Sequence, residues 1–200
     1  MYRTRVLLTA VAVAAATIAI STGVAAADKF TIMVGGIEKQ IYLPAQLAES
    51  LGYFKQEGVD VELMSENAGV NAENELLAGA VHGVVGFYDH CIDLQTKGKS
   101  VESVVQFSQA PGEVELVSSK HPEIKSMADV KGKTLGVTGL GSSTNFLTQY
   151  LAVRAGVPIG QFSLLAVGAG TTFIAAMQQD RIQAGMTTEP TISRLLKTGE

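Results

Sequence analysis

Two halves of this 200-residue chain follow one pattern, offset by about 101 residues, and a repeat on that scale restricts the chain to folds assembled from two copies of one supersecondary unit. The first copy runs from an apolar strand at Phe30–Val34 through a Gly-containing loop to a helix near Leu43–Leu51. It continues with a strand at Val59–Leu63, whose alternating apolar and polar residues suggest a more exposed strand, then a helix ending at Glu75–Gly79 and a strand at Val84–Phe87, and closes at Gly98. The second copy runs from Thr134–Val137 through a Gly-Ser loop, a helix near Ser143–Ala155, a strand at Phe162–Val167 and a helix ending at Ala176–Asp180. It passes Ile182–Met186 and closes at Gly199. Strands alternating with helices predict a parallel-rich sheet in each copy. The expected fold class is therefore α/β, with two lobes and a ligand cleft between them, the shape of a receptor for a small molecule.

The ends of the lobes follow from punctuation. Arg3 and Arg5, the apolar stretch Val6–Ser21 and the small residues Ala25-Ala26-Ala27 before Asp28 read as a cleaved secretory signal over residues 1–27. An uncleaved anchor is the competing reading, but Ala and Thr dominate the stretch and no positive flank follows it. Pro44 near a helix start and Gly52 after it bracket the first helix, and Asn71 is the expected N-cap of the helix carrying Leu76 and Leu77. A further strand is expected at Val101–Phe107. Ser108–Gly112, polar and marked by Pro111 and Gly112, is the expected crossing, so lobe I spans residues 28–110 and lobe II residues 111–200. The net charge of −4 moves to about −6 once Arg3 and Arg5 leave with the leader, which argues against nucleic acid as a partner. Cys91 is the only cysteine, so no intramolecular disulfide can form, and it reads as a small buried residue at a helix start.

The chemistry concentrates where strands end and helices begin. Gly139-Leu140-Gly141-Ser142-Ser143-Thr144 follows a strand and opens a helix, so free N–H groups, the positive end of the helix dipole and hydroxyls converge on an anion site. Ordinary N-capping by Ser142 or Ser143 is the alternative. No Walker lysine and no G-x-S-x-G elbow are present. Gly168–Thr172, with Thr171, repeats the arrangement, and Ser65–Gly69, with Asn67, is its first-lobe counterpart. Phe87 and Tyr88 offer an apolar wall with a phenol handle. Asp89 and Glu189, in the matching segments Phe87–His90 and Thr188–Thr191, can accept hydrogen bonds from a ligand or from the facing lobe, with capping as the alternative for Asp89. The Gly35–Tyr42 loop, through Gly36, Gln40 and Tyr42, supplies first-lobe contacts. His82, His90 and His121 lack zinc-ligand spacing, and no nucleophile–base set or carboxylate pair assembles, so neither a metal nor a catalytic residue is expected.

Two stretches carry a family resemblance. Leu43 to Glu62, with Ala48 ahead of Gly52-Tyr53-Phe54 and Glu57-Gly58-Val59-Asp60-Val61, resembles the A-x-x-x-G-Y-F-x-x-E-G-L-x-V segment of periplasmic solute-binding proteins of ABC importers. The similarity is to the nitrate/sulfonate/taurine and thiamine-precursor branch. Met127–Val137 resembles that branch's D-L-K-G-K-x-V-A-V stretch, and Gly141–Thr144 falls where the family places its helix-terminus oxyanion contacts. The chain departs from the pattern at His82 and Gln183, where Asp is usual, and at Glu189-Pro190, where an aromatic precedes Pro. Family members run longer, so the resemblance implies that return segments to lobe I lie beyond residue 200.

The resemblance implies a binding protein and not an enzyme, with no cofactor. It would capture a small anionic or aromatic solute in the periplasm, close on it by hinge motion, and deliver it as a monomer to an ABC permease in the inner membrane. One rival is an enzyme like the thiamine-precursor synthases, which would need a Cys/His-rich loop where this chain has only Cys91 beside His90. Another is a binding subunit of a secondary transporter or sensor.

Overall fold

The computed structural model describes residues 29–199; the leader expected at residues 1–27 lies outside them. In the first lobe β1 (Lys29–Val34) takes the centre, pairing in parallel with β2 (Asp60–Ser65) on one side and β3 (Gly83–Val85) on the other. Helices α1 (Leu43–Ser50), α2 (Tyr53–Gln56) and α3 (Gly69–Leu77) make the crossovers, and α4 (Tyr88–Thr96) follows β3. In the second lobe β5 (Thr134–Val137) is central, between β6 (Ser163–Ala166) and β7 (Ala184–Thr188), again in parallel. Helices α5 (Ser143–Arg154), α6 (Thr171–Gln178) and α7 (Thr191–Thr198) follow these strands in turn. The order β6-β5-β7 matches β2-β1-β3, so the sequence repeat is a topological repeat. The second sheet has one addition, β4 (Glu113–Val117), antiparallel on the outer edge of β7.

Alternation along the central strands divides the second lobe's core. Leu135 and Ala184 point to one face, where they pack with Val130, Ala152, Val157 and Phe162. Their neighbours Gly136 and Gly185 face the other side, against Ile182 and Phe173 of a cluster completed by Ala176, Met177 and Leu195. The first lobe has a smaller core of Met33, Ala72 and Val81, with Leu76 and Val84 packed on it. The glycine in the left-handed region after α1, Gly52 at φ +75, ends that helix as its position suggests.

Four expectations need correction. Val101–Phe107 is not a strand: it pairs with no strand among the described residues, leaving Val104 84% and Val105 68% exposed. Its apolar pattern lacks the partner edge that turns pattern into a strand. Helix α3 starts at Gly69 with Ala68, not Asn71, at its N-cap. There the backbone is pinned by Gly35, at which a Cβ would stand 2.5 Å from the Gly69 nitrogen. Strand β2 is half-buried along Asp60–Leu63 instead of alternating, because α1 and α2 pack along it. Cys91 is half-buried, not buried.

At the Gly136–Gly185 pair in the middle of the second sheet, a Cβ on Gly185 would sit 2.7 Å from the Gly136 oxygen and 2.9 Å from Phe173 Cζ. Backbone cannot yield as a side chain can, so Gly185→Ala is expected to cost about 1–3 kcal/mol, read as a lower urea midpoint. Gly83→Ala, whose Cβ would meet Ile32 Cγ1 at an ordinary 3.8 Å, is expected to change stability by about 0.5 kcal/mol or less.

Candidate functional site

Parallel pairing sends every strand's C-terminal end to the same edge of its sheet, where ligands of open α/β sheets bind. Here the edges of the two lobes face each other. The N-termini of α3 and α4 from the first lobe meet that of α5 from the second, and short polar bonds stitch the seam. The Val70 N–H donates to Ser142 Oγ at 3.2 Å, and the Ser143 hydroxyl donates to Asp89 Oδ1 at 2.9 Å. The Gln40 N–H donates to the Glu189 carbonyl at 3.1 Å. Glycine allows the approach: a Cβ on Gly139 would stand 3.0 Å from that of Ala68, and one on Gly112 would stand 2.8 Å from Ile41 Cγ2.

Two recesses lie along this seam. An open groove of about 510 Å³ runs between Gln40, Leu43 and Gln46 of one lobe and Glu189, Pro190 and Ser193 of the other. The second recess is enclosed and leaves only about 10 Å³, room for about one water molecule. The groove has the volume of a solute pocket, but the enclosed recess has the chemistry. Gly69, Gly86, Phe87, Ser142 and Ser143 line it with helix-start backbone and hydroxyls, and Lys39, Tyr42, His90 and Glu113 add titratable groups. It is the candidate site, and a solute enters it only if the lobes part.

Burial governs its electrostatics. Lys39 is buried with its Nζ donating to the Gly35 carbonyl, and desolvation holds its pKa below the usual lysine range against the pull of Glu38 and Glu113. Desolvation likewise raises the Tyr42 phenol, with the Glu113 charge adding to it. Glu113 is pushed up to about 7 by burial, with Lys39 opposing, and its Oε2 is shut from solvent without a hydrogen-bond partner. Glu115, on the same face of β4, is also pushed up to about 7 by burial, partly offset by the hydroxyl that Thr148 donates at 2.9 Å. His90 Nδ1 is bonded to Glu73 Oε2, and both residues are buried.

The structure brings most of the residues expected from the sequence to the seam. Ser142, Ser143, Phe87 and Tyr42 line the enclosed recess, while Gln40 and Glu189 line the groove. Asp89 bridges to Ser143 and accepts the His90 N–H at 2.8 Å, so it serves the facing lobe. Gly36, buried at φ +114, shapes the loop over Lys39, and Gly141, at φ +86, abuts Val70. Ser142 occupies the N-cap of α5 without capping it, its oxygen being given to Val70. Thr144 turns inward instead, accepting from the Thr138 N–H at 3.0 Å. The Glu189 carboxylate caps α7 through the Ser193 N–H and hydroxyl. Asn67 and Thr171 are exposed and line neither recess, and Tyr88 is 63% exposed. Sequence reasoning missed Lys39, Glu73, His90 and Glu113. The only signal for Glu113 was its alternation with Val114, Glu115 and Leu116 in a strand beside the expected crossing. Among the described residues, no group of His, Cys, Asp or Glu gathers to hold a metal, and no helix is long and apolar enough to cross a membrane.

Comparison with known proteins agrees with this geometry. The family model described as NMT1/THI5 like matches residues 41–194. A solved protein from Bordetella bronchiseptica RB50 is similar at 35% identity and a TM-score of 0.80, over 86% of this chain and 54% of that one. The alkanesulfonate-binding protein from Xanthomonas axonopodis pv. citri, solved bound to MOPS, has 22% identity and a TM-score of 0.70, over 86% of this chain and 58% of its own. The periplasmic nitrate-binding protein from Synechocystis PCC 6803 has 16% identity and a TM-score of 0.66, over 87% and 50%. These show a shared periplasmic-binding-protein fold, and the chain spans about half the length of each. No curated protein matches the chain in sequence.

The raised carboxyls give a pH test. Glu113 and Glu115 hold their protons up to about 7 in the folded chain, whereas an unfolded Glu titrates near ~4.3. Between those limits the folded state binds more protons, so stability falls as pH rises across that window. The urea midpoint is expected to drop from pH 5 to pH 7.5, and Glu115→Gln to flatten that drop. His121, raised by its bonds to Asp180 and Glu123, contributes a slope of the same sign that persists in the variant.

Proposed function

We propose that this chain, which belongs to the NMT1/THI5-like family, is the solute-capturing component of an ABC importer. In this reading it is exported by a cleaved leader and works in the periplasm as a monomer, dividing into lobes at residues 28–110 and 111–200. It closes on a small anionic or aromatic solute, of the sulfonate, nitrate or taurine kind, and hands it to an inner-membrane permease. The observation that carries the reading is the meeting of three helix N-termini, those of α3, α4 and α5, across one seam. Each presents free N–H groups and a positive dipole end, which together favour an oxyanion held by both lobes at once.

Two relatives of this fold are named as alkanesulfonate- and nitrate-binding proteins, which supports binding over catalysis and points toward small oxyanions. Parting the seam frees Val70 N–H, Ser142 Oγ and Ser143 Oγ, the groups a solute would take over. Solute would thus replace lobe–lobe bonds with bonds to itself, and it favours closure only by the difference in its contacts between the two arrangements.

A thermal-shift screen against small sulfonates, nitrate and aromatic acids tests the reading. Ligand at about 100 times its dissociation constant should stabilise the protein by roughly 2.7 kcal/mol. Replacing Ser142 and Ser143 by Ala should abolish that shift while leaving the unliganded melting point within a few degrees. A well-folded protein that no compound stabilises would remove the oxyanion reading.

A further inference from the structure

We propose that His90, held in place by Glu73, is a solute-contacting residue of the enclosed recess, with its Nε2 donating to an oxyanion oxygen of the solute. This rests on the receptor reading above. His90 lies in the first turn of α4 and is 8% exposed; Glu73, on α3, is 7% exposed. Side chains of this kind are rarely shut away without a partner. The partnership is His90 Nδ1 with Glu73 Oε2, and because a carboxylate only accepts, Nδ1 carries the proton of that bond. The other ring nitrogen, Nε2, has no hydrogen-bond partner among the described residues.

Two glycines fix where the ring points. A Cβ on Gly69 would stand 3.1 Å from Nε2, and one on Gly86 would stand 3.6 Å from Cδ2. Both glycines line the enclosed recess together with His90. The ring therefore lies on bare backbone at the mouths of α3 and α4, with Phe146 edge-on at 6.1 Å. The charged groups around it are Glu73 from α3 and Asp89 from α4, while α5 offers only Ser142, Ser143 and Phe146. Lys39 and Glu113 border the same recess from the loop after β1 and from β4.

This arrangement suits an oxyanion. With both ring nitrogens protonated, Nε2–H adds a directed, charge-assisted donor to the backbone N–H groups of the converging helix starts. Glu73 balances the imidazolium from behind, so the charge is not left unpaired in a buried place. Sulfonate, carboxylate and nitrate share the required chemistry. Glu73 touches no solute in this scheme and acts as a positioning residue, fixing which nitrogen faces the recess.

Calorimetric titration of the full-length protein with ethanesulfonate, benzoate and nitrate tests this, alongside ¹⁵N spectra of the histidine rings. Whichever anion binds the wild type is expected to lose at least tenfold in affinity in His90→Gln and several-fold in Glu73→Gln. In the bound wild type both ring nitrogens of His90 should carry protons, with the Nε2 signal moved by the anion, and Glu73→Gln should weaken that Nε2 proton signal. Wild-type affinity in a folded His90→Gln overturns the inference and leaves the receptor reading standing. So does an unprotonated Nε2 in the bound wild type, which decides the matter if His90→Gln does not fold. Binding of none of the three anions to folded wild type overturns both.

Discussion

Parallel strand pairing is the constraint from which the rest of this molecule follows. Because β2 and β3 run alongside β1 in the same direction, the loops entering α3 and α4 must open at one sheet edge. The same holds for β6 and β7 about β5 and the loops entering α6 and α7. With helices crossing back over the sheet in the usual hand, each lobe presents its helix N-termini on one rim. Setting the rims against each other then gathers positive dipole ends into a small volume. Nothing in the local sequence of any one helix dictates that gathering; it is a property of two copies of one topology placed face to face.

Such a gathering is costly unless something answers it. Asp89 does so directly, taking the Ser143 hydroxyl and the His90 N–H. Glu73 does so one layer behind, through His90. Glu113 is different: its Oε2 is buried and unpartnered, and desolvation lifts its pKa to about 7 despite Lys39 nearby. A strand that pairs antiparallel at the sheet's edge thus carries a carboxyl into a region otherwise furnished with donors.

The periodic elements were legible from residues alone. Strand β5 falls on Thr134–Val137 as read, and α1 and α5 lie within a few residues of their expected bounds, since strand length, Pro44 and Gly52 are local signals. The Gly-Ser loop could be placed at a helix start for the same reason. Val101–Phe107 misled because an apolar run records a tendency to pair, while pairing needs an edge in reach. The His90–Glu73 bond was invisible for another reason. Its partners stand on two helices, 17 residues apart, with a strand between them, and only the crossover brings them together. Lys39 and Glu113 were passed over because charged residues are usually solvated, and their burial depends on the facing lobe.

The bonds that close the seam use backbone N–H groups and the hydroxyls of two serines, with a single short carboxylate side chain. Groups of this kind have few rotamers to surrender, so joining or parting the rims costs little side-chain conformational entropy compared with long lysine or arginine bridges. The neutral bonds are also replaceable by water at a net difference of only about 1 kcal/mol each, and the bond from Ser143 to the Asp89 carboxylate at about 1.5–3 kcal/mol. The contact is consequently shallow in free energy although well defined in geometry, and weak bias from a third body in the gap is enough to decide which arrangement dominates.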